Sequence, residues 1–117
     1  MTRKFNFGEI WLADLNPKVG TELGKLRPVL IIQNQILLEI NHPSTLIIPL
    51  TTKLIDDTEP LRIRIKAQAR LAKDSDLLID QIRAIDNKRL TTGPLMVCNN
   101  QFMKKVYKAI SEVIGNY

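Results

Sequence analysis

Apolar residues fall into short runs separated by turn formers. Residues 9–15, EIWLADL, mix apolar and polar side chains over strand length and then meet Asn16, Pro17 and Gly20, residues that favour turns. This predicts a strand followed by a long loop. The loop reaches about Leu26, and its Gly20, Glu22, Gly24 and Lys25 make it polar and too long for a tight hairpin turn. Loops of this kind often carry function. Residues 28–32, PVLII, form a continuous run between Pro28 and the polar Gln33, Asn34 and Gln35, which predicts a strand buried on both faces. Asn41, His42 and Pro43 mark the next connection. Residues 46–50 repeat the short apolar run and end in Thr51, Thr52 and Lys53, where polar side chains emerge at the edge of a sheet.

Further along, residues 61–65 read LRIRI. Strict alternation sets Leu61, Ile63 and Ile65 inward and aims Arg62 and Arg64 at solvent or at an anion. Residues 77–85, LLIDQIRAI, predict a longer strand interrupted by Asp80, Gln81 and Arg83, polar groups that need partners or a purpose. At the C-terminal end Phe102, Val106, Ile110 and Val113 recur at helical spacing, with Asn99 or Asn100 placed to cap the start and Gly115 to end it. Lys104, Lys105 and Lys108 form the solvated face of that helix. Many short strands followed by one helix predict a small antiparallel barrel or strongly curled sheet.

Composition narrows the function. A chain of 117 residues fits one domain, 1–117, and its 44% hydrophobic and 25% charged residues are ordinary for a folded globular protein. Seventeen Lys and Arg against twelve Asp and Glu leave a formal net charge of +5, which attracts polyanions before any specific contact forms. Cys98 is the only cysteine, so an intrachain disulfide, a thiolate cluster and a redox pair are excluded. The first residues lack the apolar region of a signal peptide, and no apolar run approaches membrane-spanning length, so a cytoplasmic protein without a membrane association is expected. The single histidine, His42, excludes a two-histidine ribonuclease mechanism.

Three stretches then carry a specific resemblance. Residues 8–34, GEIWLADLNPKVGTELGKLRPVLIIQN, residues 49–52, PLTT, and residues 80–86, DQIRAID, stand in order and at the spacing of the MazF/PemK endoribonuclease toxins, which the chain closely resembles. The resemblance implies a mainly β fold, an SH3-like barrel of about five to seven short strands with a C-terminal helix. It also implies a homodimer that binds single-stranded RNA along a groove at the dimer interface, and a cognate antitoxin protein as inhibitor. Members of this family cut RNA at short recognition sequences, leave a 5′-hydroxyl fragment, and need neither a metal nor another cofactor.

Cleavage through the RNA 2′-hydroxyl requires that its proton be removed, that charge on the phosphoryl oxygens be stabilised, and that the 5′-oxygen be helped to leave. Arg27 matches the family's catalytic arginine, and its guanidinium fork suits two phosphate oxygens. Thr51 matches the family threonine after the PL pair, where a hydroxyl donates to a non-bridging oxygen. Taken without the resemblance, Arg27 reads as a surface arginine and Thr51 as a strand-end threonine. Some relatives pair an arginine with an aspartate at the positions of Leu78 and Asp80 and place a histidine at Thr21; this chain keeps only the aspartate. Asp80 is therefore either a supporting base or a structural hydrogen-bond acceptor, with the structural role favoured. For RNA recognition, Thr21, Glu22, Lys25, Asn34, Lys53 and Gln81 offer the needed cations, donors and acceptors, with Thr52 and Arg83 beside them. Aromatic residues are only 5% of the chain, so recognition by hydrogen bonding is expected over base stacking.

Two other functions fit a basic barrel of this size. One is a toxin of the same fold that poisons DNA gyrase by binding it, and the other is an SH3-like module that binds RNA passively. Neither has a need for Arg27 and Thr51 together.

Overall fold

A computed structural model describes residues 4–17, 20–21 and 24–115. The elements, in chain order, are β1 (Glu9–Asp14), β2 (Leu26–Ile31), α1 (Gln35–Glu39), β3 (Ser44–Thr51), β4 (Arg62–Ile65), β5 (Ser75–Leu78), β6 (Arg83–Asp86), β7 (Leu90–Val97) and α2 (Asn100–Ile114). All strand pairings are antiparallel, in the order β4-β5-β3-β2-β1-β7, with β6 also on β3. The expected mainly β fold with its C-terminal helix is present, but β4 and β7 end the path without pairing to each other. The curled sheet therefore stops short of a closed barrel.

Residues 77–85 do not form the one continuous strand their apolar content predicts. A 3₁₀ turn at Ile79–Gln81 divides the run, so β5 pairs with the Leu50–Thr51 end of β3 and β6 with residues 44–47. The interrupting polar residues Asp80 and Gln81 are the ones placed on the turn.

Both faces of the sheet are covered. Ile10, Leu30, Ile48, Leu50, Ile63 and Leu77 point to one side, where Met103, Val106 and Ala109 of α2 pack on them. Trp11, Ala13, Val29, Ile31, Ile47 and Ile85 point to the other, joined by Phe5, Leu15 and Leu90. Thus residues 28–32 read as an uninterrupted apolar run because alternate side chains serve different cores, each fully buried Val, Leu or Ile contributing about 1.5–3 kcal/mol. In β4 the alternation holds for Ile63 and Ile65, both buried. Leu61 is a correction: it precedes the strand, lies in a turn and is 49% exposed.

Asn99 caps α2 by accepting from the Phe102 N–H at 2.8 Å, and Gly115 ends it with a left-handed φ of 73°. Two elements lacked a clear sequence signal. The five-residue α1 buries none of its residues, and β7 contains Gly93 and Pro94, which weaken a strand signal and here accompany register irregularities against β1. Among the described residues no helix is long and apolar enough to cross a membrane.

Candidate active site

The face of the sheet opposite α2 turns polar at one end. Arg27 in β2 pairs with Ala13 in β1. Between β2 and β3 the register runs Ile31 to Ile47, Leu30 to Ile48 and Val29 to Pro49. The pairing ends there: Arg27 stands two residues before Val29 in β2 and Thr51 two residues after Pro49 at the end of β3, so both lie at the same end of the two strands. Thr51 pairs with Asp76 of β5, and Asp76 with Arg64 of β4. Directly opposed residues share a face, so Thr51, Asp76 and Arg64 form a polar row across three strands, and strand alternation from Val29 puts Arg27 on that same face of the sheet.

Arg27 is half-buried and its Nε–H donates to the Gly24 carbonyl at 2.8 Å. That bond fixes the side chain against the end of the β1–β2 loop. Among the described residues the terminal guanidinium nitrogens have no protein partner, so they remain available to an anion. Thr51 is only 6% exposed, and its Oγ accepts from the Lys53 N–H at 3.2 Å. Accepting that bond stabilises a tight turn after β3 and leaves the hydroxyl hydrogen able to donate.

Arg62 and Arg64 do meet an anion, and it is a residue that their alternating pattern could not reveal. Asp76, 1% exposed, accepts from Arg64 Nε at 2.6 Å, from Arg62 Nη1 at 3.2 Å and from the Ile55 N–H at 3.0 Å. Burial pushes the Asp76 carboxyl up, but those hydrogen bonds and the charge of Arg64 outweigh it and hold the group below its ordinary value. Arg64, bonded to Asp76 and to Asp56 at 2.8 Å, is raised further above its already high range.

The remaining candidates divide by position. Thr21 and Lys25 are exposed on the β1–β2 loop that supplies Gly24. Glu22 lies outside the described residues. Thr52 and Lys53 are exposed directly after Thr51. Arg83 is half-buried and pairs with Ile47, on the Thr51 face but four residues back along β3, roughly 13 Å at strand rise. Asn34 follows the far end of β2, and its side-chain oxygen caps α1 through the Ile36 N–H at 2.9 Å. The structure thus separates Asn34 from Arg27. Asp80 is exposed on its 3₁₀ turn and accepts no hydrogen bond among the described residues; Gln81, beside it, is half-buried. His42 is exposed in the connection before β3.

A curled antiparallel sheet with one helix across a single face is the architecture of the MazF toxins. The chain superposes on MazF from Deinococcus radiodurans with a TM-score of 0.80 at 17% identity, covering 97% of this chain and 99% of that one. It also matches a mycobacterial endoribonuclease solved with its cognate antitoxin, at a TM-score of 0.72 and 19% identity over 94% of both chains. In sequence it is 36% identical over 109 residues to endoribonuclease MazF of Staphylococcus saprophyticus, 92% of this chain and 89% of that protein. It is 36% identical over 104 residues to endoribonuclease EndoA of Bacillus subtilis, 88% of each. The family model for the PemK-like, MazF-like toxins of type II toxin-antitoxin systems matches residues 6–114, and the chain belongs to that family.

Proposed function

We propose that residues 1–117 form one toxin domain that cleaves single-stranded RNA in the cytoplasm, with Arg27 and Thr51 acting on the scissile phosphate. The observation that carries this reading is that Arg27 and Thr51 stand at the same end of β2 and β3, beyond the last paired residues Val29 and Pro49, on the sheet face away from α2. The endoribonuclease function of relatives at 36% identity supports it.

In the reaction, the 2′-oxygen gives up its proton and attacks phosphorus, the bond to the 5′-oxygen breaks, and that oxygen takes up a proton from water, leaving a 2′,3′-cyclic phosphate and a 5′-hydroxyl end. Negative charge gathers on the non-bridging oxygens as the attack proceeds. The terminal guanidinium nitrogens of Arg27 meet that charge directly, and the Thr51 hydroxyl donates to a second oxygen. Such preorganised donors typically contribute about 3–4 kcal/mol each. The 2′-hydroxyl proton still needs an acceptor. Asp80, exposed and without a hydrogen bond among the described residues, serves as the supporting base in this reading.

Thr21, Lys25, Thr52 and Lys53 lie on the two segments flanking the Arg27 and Thr51 strand ends, where they contact the RNA backbone and base edges. Glu22, Gln81 and Arg83 extend this set, and Asn34 contributes only if a second protomer brings it near. A homodimer is expected to complete the groove. The cognate antitoxin is expected to occupy it with an acidic segment, complementary to the +5 charge of the toxin.

The test is incubation with a long mixed-sequence RNA in EDTA, mapping 5′ ends beside an Arg27→Ala control. Discrete cuts bearing 5′-hydroxyl ends, absent from a folded control, are expected. Intact RNA across varied sequences would instead favour a toxin that acts by protein binding.

A further inference from the structure

Asp76 lies outside the proposed reacting residues, yet it controls the segment that carries one of them. Its register partner is Thr51 itself. Through Arg62 Nη1, which also donates to the Lys53 carbonyl at 2.9 Å, it fixes the residue two after Thr51. By accepting from the Ile55 N–H it fixes the residue four after. Arg64 extends the hold to Asp56. A single buried carboxylate therefore pins residues 53, 55 and 56 of an otherwise exposed connection.

The Thr51 hydroxyl depends on that connection. Its oxygen points where the Lys53 N–H requires it, at 3.2 Å, so the turn sets the direction in which the hydroxyl hydrogen is presented. Few of the turn's residues could hold it by packing: 52–57 are all exposed. Polar ties supply what burial does not. We infer that Asp76, acting through Arg62 and the Ile55 N–H, is a positioning residue that orients the Thr51 hydroxyl toward the scissile phosphate. The inference rests on the reading of Thr51 as a reacting residue and names what holds it in place.

A positioning role has a signature that general stabilisation lacks. Asp76→Asn keeps the size of the side chain but weakens both arginine contacts. It is expected to lower the cleavage rate at saturating RNA by about 10- to 100-fold, the scale on which a misplaced group costs rate. In the Thr51→Ala background the same change should cost almost nothing, because no hydroxyl remains to be oriented, giving strong non-additivity in a double-mutant cycle. Arg62→Met, which cuts only the tie to the Lys53 carbonyl and one contact to Asp76, is expected to behave in the same way. The same cycle run with Arg62→Met decides the matter if Asp76→Asn does not fold. Rates are compared on protein shown to be folded by its thermal transition.

Additive losses, or an Asp76→Asn enzyme as fast as the parent, overturn the positioning role while leaving the Arg27 and Thr51 reading intact. A Thr51→Ala enzyme with the parent's rate overturns both.

Discussion

Gly93 of β7 lies so close to the indole of Trp11 in β1 that a β-carbon at position 93 would stand 2.5 Å from Cδ2 and 2.6 Å from Cγ. The ring has little room to retreat. Phe5 packs edge-on against it with centroids 4.8 Å apart, and its Nε1 donates to the Glu9 carboxylate at 3.0 Å. Gly93→Ala is therefore expected to destabilise the fold by about 1–3 kcal/mol, as overpacking of a filled core does. The measurement is the urea midpoint, which should fall with an unchanged slope. A midpoint equal to the parent's would mean that the ring moves aside freely.

Asp76 gives the protein a specific weakness to acid. Its carboxyl is held below the ordinary value in the fold, so its contribution to stability is fully present above about pH 3.9 and fades as pH falls through the lowered folded value. Against Asp76→Asn, the parent is expected to be more stable at pH 7 by about 1–3 kcal/mol, the usual cost of disrupting a buried hydrogen-bonded group. That margin should shrink as the solution is taken below the ordinary carboxylate range. Because the comparison is a difference between two proteins, acid effects from the other carboxylates largely cancel. A margin that stays constant down to the acid limit contradicts the assignment.

Cys98 is buried, and burial pushes its thiol up to about 11. At pH 8 the native thiol is protonated and covered, both of which suppress attack by the thiolate route. A thiol reagent should label the folded protein slowly, at a rate that follows local or global opening, and label the denatured chain at once. Rapid stoichiometric labelling under native conditions would show that the β7 and α2 junction opens readily.

Local patterns that serve one purpose were legible without the fold. Residues 28–32 read as doubly buried because both cores draw on them, and α2 announces itself through Asn99, Gly115 and its apolar stripe. The limits are equally physical. The apolar stripe named Phe102, Val106, Ile110 and Val113, but the residues pressed fully into the core are Met103, Val106 and Ala109, a small rotation of the face that only packing in the shared core decides. Strand β7 hides behind Gly93, whose reason is the distant Trp11. Arg27 and Thr51 were found by family resemblance, since each alone is an ordinary strand residue. Asp76 was missed because its meaning lies in Arg62 and Arg64, which an antiparallel pairing brings beside it; nothing in the run SDLL marks the aspartate as the anion those arginines meet.

Charge and geometry at Arg27 can be separated by one substitution. Nε anchors the side chain to the Gly24 carbonyl, and in the proposed reaction the terminal pair of nitrogens takes the phosphate. Arg27→Lys keeps the positive charge and supplies a single ammonium, which cannot hold the anchor and also present a planar fork. RNA affinity should survive in large part, because the count of neutralised phosphates and thus the salt dependence of binding are preserved. Cleavage should not survive, with a single-turnover rate lower by about 10²–10³, the loss typical of removing one preorganised donor from a developing oxyanion. The pair of measurements is binding of an RNA blocked by 2′-deoxy at the scissile nucleotide, across salt concentrations, and single-turnover cutting of the matching cleavable RNA. An Arg27→Lys enzyme that cut as fast as the parent would reduce Arg27 to a point charge. A loss of binding equal to the loss of rate would move its role from the transition state to the ground state.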